Sequence, residues 1–142
     1  MRFAGYAAIF GRPDRGGDVV RAGAFARSLE RKAGPVPLLW QHDLARPVGR
    51  IEYLREDKRG LRVIARLSAG SAGREAATLL REGSVAGLSF GYRVRKASGL
   101  STGSGRAGMR MLEEIELVEV SLVAVPMQPR ARVHAVEDRA AD

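Results

Sequence analysis

The chain of 142 residues contains no cysteine, which excludes a disulfide framework and any thiolate metal site. Its two histidines, His42 and His134, cannot form a zinc site without carboxylate help; no metal and no cofactor are expected. No apolar run approaches the roughly 18 residues of a membrane span. The opening residues 1–10 carry one arginine among glycine-broken apolar residues, unlike a signal peptide. These absences predict a soluble, intracellular protein held together by packing. Aromatic residues are scarce at 6%, and few lie among the arginines, where they would stack on bases.

Positive charge is abundant. The net charge of +8 is concentrated in residues 1–91, with 16 Lys/Arg against 9 Asp/Glu, while residues 92–142 hold 8 against 7. Such a surface suits an acidic protein partner or nucleic acid, or is simply well solvated. By length the chain is one domain with room for a real core.

Strands are expected over residues 2–10, 36–41, 48–55 and 61–67, the last two forming a hairpin around Glu56-Asp57-Lys58-Arg59-Gly60. Residues 11–18 read as a loop and residues 44–47 as a turn. Short helices are expected over 24–32 and 74–82, the second capped by Ser71 and ended by Gly83. A strand through Ser89 should pair antiparallel with one over residues 109–125, across a Ser/Gly-rich loop at 97–108. Residues 130–136 read as a short closing helix before a polar tail.

The chain turns on Gly87-Leu88-Ser89-Phe90-Gly91. Alternation places Ala86, Leu88, Phe90, Tyr92 and Val94 toward a core, and Ser89 on the other face between two residues that lack side chains. A nucleophile would be accessible there; equally, a strand serine could bond a backbone group, with the glycines marking a bulge or a close backbone approach. His42 sits where a buried strand emerges. Glu119, among Leu117, Val118, Val120 and Leu122, is a carboxylate in an apolar segment and needs a partner. Serine, histidine and carboxylate are the parts of an acyl-transfer site. The letters G-x-S-x-G also suggest the nucleophile elbow of α/β-hydrolases, with Ser89, Glu119 and His134 in that order. That elbow requires a helix directly after the serine, whereas Tyr92-Arg93-Val94-Arg95 continues as a strand.

Seven motifs in order, Gly5-Tyr6-Ala7-Ala8-Ile9-Phe10, Gly17-Asp18-Val19-Val20, Gly23-Ala24-Phe25, Leu38-Leu39-Trp40-Gln41-His42-Asp43, Pro47-Val48-Gly49-Arg50, Gly87-Leu88-Ser89-Phe90-Gly91 and Glu119-Val120-Ser121-Leu122-Val123, resemble the prohead proteases of tailed bacteriophages, which prophages and gene-transfer agents also carry. The resemblance covers nearly the whole chain. It implies a protease domain over residues 1–136 with a tail at 137–142. The implied fold is α+β and mostly β, an antiparallel β-barrel surrounded by a few short helices, as in herpesvirus assemblin. The implied activity is that of a serine endopeptidase that cleaves the scaffolding segment of a major capsid protein, or a separate scaffold protein, in the assembling procapsid in the host cytoplasm, and then itself. Carried over by motif, the nucleophile is Ser89 and the base His42. The third member is a second histidine in herpesvirus proteases but a glutamate in the phage branch, here Glu119, with Glu116 and then His134 as alternatives. Backbone N–H groups around residues 127–130 are expected to form the oxyanion hole. Phe90, Tyr92 and Met127-Gln128 depart from the usual pattern, which bears on packing and the turn. A homodimer is among the implied partners, whereas a membrane and nucleic acid are not. The rival function is a non-catalytic capsid scaffold or nucleic-acid-binding module that retains the protease fold.

Overall fold

The computed structural model describes residues 1–31, 34–99 and 109–138. Eight strands and two short helices follow in the order β1 (Arg2–Ile9), β2 (Asp18–Val20), α1 (Ala26–Arg31), β3 (Pro37–Trp40), β4 (Asp43–Glu56), β5 (Gly60–Leu67), α2 (Ser71–Glu82), β6 (Gly87–Gly99), β7 (Arg110–Val123) and β8 (Val133–Glu137). Strict alternation makes β5 a strand: Leu61, Val63, Ala65 and Leu67 are buried, with Arg62, Ile64 and Arg66 between them on the other face. Together with Phe3, Phe25, Leu38, Leu88 and Leu112 they form one core.

β7 is the strand around which the site is built. It pairs antiparallel with β6 along its length, from Gly87↔Val123 to Gly99↔Arg110. Its other edge is shared by two parallel partners, β2 near Leu112 and β3 near Ser121. From β3 the ladder continues through β4, β5, β1 and β8. The barrel expected from the family resemblance therefore does not close. Among the described residues, β6 and the segment entering β8 are joined by an isolated bridge between Gly87 and Arg132, where Leu88 N–H donates to Ala131 O at 2.9 Å and Val133 N–H to Ala86 O at 2.8 Å. Beyond Gly91 register shifts interrupt the β6–β7 ladder, and Val94, expected in the core, lies exposed.

Other local expectations change for physical reasons. The turn expected at 44–47 falls earlier, at Gln41-His42, since Trp40 already pairs with Asp43 and residues 44–47 belong to β4. The helix expected over 130–136 is instead β8, whose Val133 and Val136 are β-branched and whose backbone pairs with the free edge of β1. α2 begins at Ser71, so its cap is Gly70, with no side-chain hydrogen bond; Gly83 does end it, at φ 77°. Of the loop expected at 97–108, residues 97–99 continue β6, and the rest lies outside the described residues.

Candidate active site

Gln41 and His42 have φ of 50° and 63°, both in the left-handed region that a two-residue hairpin turn of type I′ requires and that non-glycine residues seldom occupy. Such strain, of order 1–3 kcal/mol per residue, persists only where surrounding contacts over-determine it, and here β7 supplies them. Gln41 N–H donates to Leu122 O at 2.9 Å, Gln41 Oε1 accepts from Ala124 N–H at 2.8 Å, and His42 N–H donates to Ser121 Oγ at 3.0 Å. The result fixes the imidazole at one end of the β3–β4 hairpin.

That imidazole meets Glu119 through a hydrogen bond between Nδ1 and Oε2. The carboxylate is buried, with 5% of the residue exposed, and its other oxygen, Oε1, accepts from Ser121 Oγ at 2.7 Å. The bond to Glu119 raises the His42 pKa above its ordinary 6.5, against the opposing effect of desolvation. With Nδ1 engaged, Nε2 is the ring nitrogen left to exchange a proton.

Ser89 stands opposite Ser121 on the paired strands and lines, together with His42, a cleft of about 560 Å³ whose wall includes Ala7, Val20, Phe90 and Met127. Among the described residues its hydroxyl makes no hydrogen bond, so the bland reading of a backbone-bonded strand serine does not hold. The flanking glycines serve the site in a different way from the open face expected. A Cβ on Gly91 would fall 2.5 Å from Glu119 Oε2, and one on Gly87 would fall 2.8 Å from Pro126 Cδ. The gap beside Ser89 is already filled by the carboxylate that holds His42.

The remaining candidates lie elsewhere. Glu116 is committed to Arg95 at 2.8 Å. His134 is exposed, stacks near Tyr6 and accepts from Arg62 at 2.9 Å. In the turn expected to supply an oxyanion hole, Met127 and Gln128 line the cleft, but Arg130 N–H is taken by Gln128 Oε1 at 3.1 Å and Pro129 has none to give. Sequence reasoning passed over Ser121 and Gln41 as contributors. Ser121's signal was its place two residues from Glu119 on the same face, and Gln41's only its position beside His42.

A buried carboxylate bonded to an imidazole, with an unengaged serine in the same cleft of a mostly antiparallel sheet, is an arrangement of the serine-hydrolase class. The chain belongs to the Caudovirus prohead serine protease family, whose model matches residues 1–142. It is 30% identical over 138 residues to the prohead protease of Enterobacteria phage HK97, covering 95% of this chain and 60% of that protein. It is also 30% identical over 132 residues to the capsid polyprotein of Pseudomonas phage PAJU2, covering 88% of this chain and 18% of that one. The chain thus spans less than two thirds of either relative. Among solved structures, the bacteriophage T4 capsid assembly protease superposes with TM-score 0.64 at 15% identity, over 86% of this chain and 80% of that one. The KSHV protease, solved with a hexapeptide phosphonate inhibitor, gives 0.62 at 13% identity, over 96% and 65%. The varicella-zoster virus protease gives 0.56 at 15%, over 94% and 62%. The fold is therefore herpesvirus-protease-like, with an open sheet. Among the described residues no helix is long and apolar enough to cross a membrane.

Proposed function

We propose that the chain is a serine endopeptidase that acts within an assembling procapsid on the scaffolding segment of the major capsid protein, or on a separate scaffold protein, and then on itself. The observation that carries this reading is the pairing of His42 with buried Glu119 on the wall of the cleft that holds Ser89. Ser89 Oγ attacks the peptide carbonyl as His42 Nε2 takes its proton; the same nitrogen then protonates the leaving amine, and water repeats the sequence to release the acyl group. Glu119 fixes the Nδ1–H tautomer and stabilises the imidazolium. The N–H groups of Met127 and Gln128, which line the cleft and have no protein acceptor among the described residues, are candidate donors to the oxyanion.

Co-expression with a major capsid protein from the same genome tests the reading. Intact-mass measurement should find a shortened capsid protein with the wild-type chain and a full-length one with Ser89→Ala. Full-length capsid protein with both, in particles that still assemble, would instead favour a non-catalytic scaffold role.

A further inference from the structure

The surface has a second large depression, next to the cleft, and its charge is of one sign. Arg12, Lys58, Arg59, Arg130 and Arg132 line a groove of about 740 Å³, and all five are exposed. None of them has a carboxylate within salt-bridge distance among the described residues. Many cations on other faces are matched, among them Arg2 with Glu52, Arg46 with Glu75, Arg95 with Glu116 and Arg110 with Asp18; those that are not, such as Arg31, Arg55 and Arg74, do not gather in one groove with the five. Asp57, at the groove's edge, is already committed to the Tyr6 hydroxyl and to the N–H groups of Arg59 and Gly60. The positive field reaches His134, whose pKa is lowered first by burial and then by Arg62 and Arg59. Like charges gathered without counter-charges repel one another, and an anionic occupant removes that cost.

Two further observations select the kind of anion. Ile9 and Arg12 line both this groove and the Ser89 cleft, so a chain lying in the cleft passes directly into the groove. The aromatic faces that nucleic-acid bases would stack on are occupied: Arg59 and Arg62 lie over the Tyr6 ring at 5.5 and 5.6 Å, and Phe10 packs toward Phe25 at 6.4 Å. We propose that the groove binds an acidic peptide segment of the substrate flanking the scissile bond. This rests on the reading of the cleft as a protease site. The groove selects substrates by the charge of that flank, while the cleft performs the chemistry.

Fluorescein-labelled oligoglutamate, an oligothymidylate of equal length, and the Lys58→Glu/Arg130→Glu double variant test the proposal. Neither of those side chains makes a hydrogen bond among the described residues, so the variant should melt with the wild type; Lys58→Gln/Arg130→Gln serves as a milder second variant. Anisotropy titration should show oligoglutamate binding that weakens with added salt, and that falls at least about tenfold on double reversal and less on neutralisation. Oligothymidylate binding as tightly as oligoglutamate, or reversal without effect, would overturn the proposal. Labelling of Ser89 by a fluorophosphonate reports the catalytic reading separately. Loss of labelling in the wild type would sink the protease, whereas loss of oligoglutamate binding with labelling intact would sink only the groove.

Discussion

Replacing Glu119 with glutamine changes almost no volume, yet it should reverse the tautomer of His42, and the reason lies in Ser121. That hydroxyl accepts the His42 N–H and donates its only hydrogen to Glu119 Oε1. A glutamine that keeps the second bond turns its carbonyl to Ser121 and its NH₂ to His42 Nδ1. Nδ1 must then accept, so the ring proton moves to Nε2, the nitrogen required to receive a proton from Ser89. The opposite amide orientation restores the useful tautomer but leaves a buried O–H without an acceptor, a cost of about 1–3 kcal/mol, so only about one molecule in six to one in 160 adopts it. That scarcity of the useful tautomer, together with loss of the charge that stabilises the imidazolium, should slow fluorophosphonate labelling of Ser89 and capsid-protein cleavage in Glu119→Gln by about a thousand- to ten-thousandfold. Ser121→Ala alone should slow them about tenfold by loosening both Glu119 and the strained turn. In the Glu119→Gln background, Ser121→Ala should cost much less than its own tenfold, or raise the rate, because neither amide orientation is then preferred. Thermal melts separate these effects from unfolding. If the double variant is slower than Glu119→Gln by the same factor that Ser121→Ala causes alone, the hydroxyl does not set the carboxamide's orientation and the argument fails.

Because Glu119 raises the His42 pKa, the acidic limb of the rate–pH profile should have its midpoint above 6.5 and move down in Glu119→Ala; a native limb at or below 6.5 would contradict the hydrogen bond as described. The same shift makes the His42–Glu119 contribution to stability fully present below the unfolded value of about 6.5 and lost as pH rises through the higher folded value, which denaturant titrations across that range should detect. Gly91→Ala places a methyl 2.5 Å from Glu119 Oε2, so labelling of Ser89 should fall by at least about tenfold with a stability loss of about 1–3 kcal/mol; wild-type labelling rates would show that the carboxylate has room to move. Asp18 receives Arg110 through both Nε and Nη2 at 3.0 Å, and the Tyr92 hydroxyl at 3.0 Å; Arg110 is the first cause of its lowered pKa. Asp18→Asn should cost about 1.5–3 kcal/mol in a urea melt at neutral pH, and the difference from wild type should shrink as pH falls below 3.8 toward Asp18's lower folded pKa, since protonation then removes what the mutation removed.

What could be read from the residues followed from pattern. The β4–β5 hairpin and the β6–β7 pair announce themselves by alternation and by turn residues. His42, Ser89 and Glu119 stood out because a strand-end histidine, a serine between glycines and a carboxylate in an apolar strand each require an explanation. The misread parts depended on partners distant in the chain. Gln41 and His42 have no intrinsic preference for a left-handed turn; Leu122, Ala124 and Ser121 hold them there. Val-His-Ala-Val-Glu suits a short helix or a strand, and the unpaired edge of β1 decides. Nothing local states whether the first and last strands of a ladder will meet, so the barrel implied by resemblance proved to be an open sheet stitched at Gly87 and Arg132.

The central place of β7 has a temporal consequence. Synthesis delivers the N-terminal segments first, so a chain that has emerged through β6 already contains both His42 and Ser89. It lacks the strand that lies between β3 and β6, the carboxylate that orients the imidazole, and the hydroxyl that steadies the strained turn. On the proposed reading of the cleft, hydrolytic competence would be withheld until β7 is made and inserted, and would arrive in one step. A nascent or partly folded chain would then be latent by its own folding, because the strand that completes the sheet also completes the candidate site.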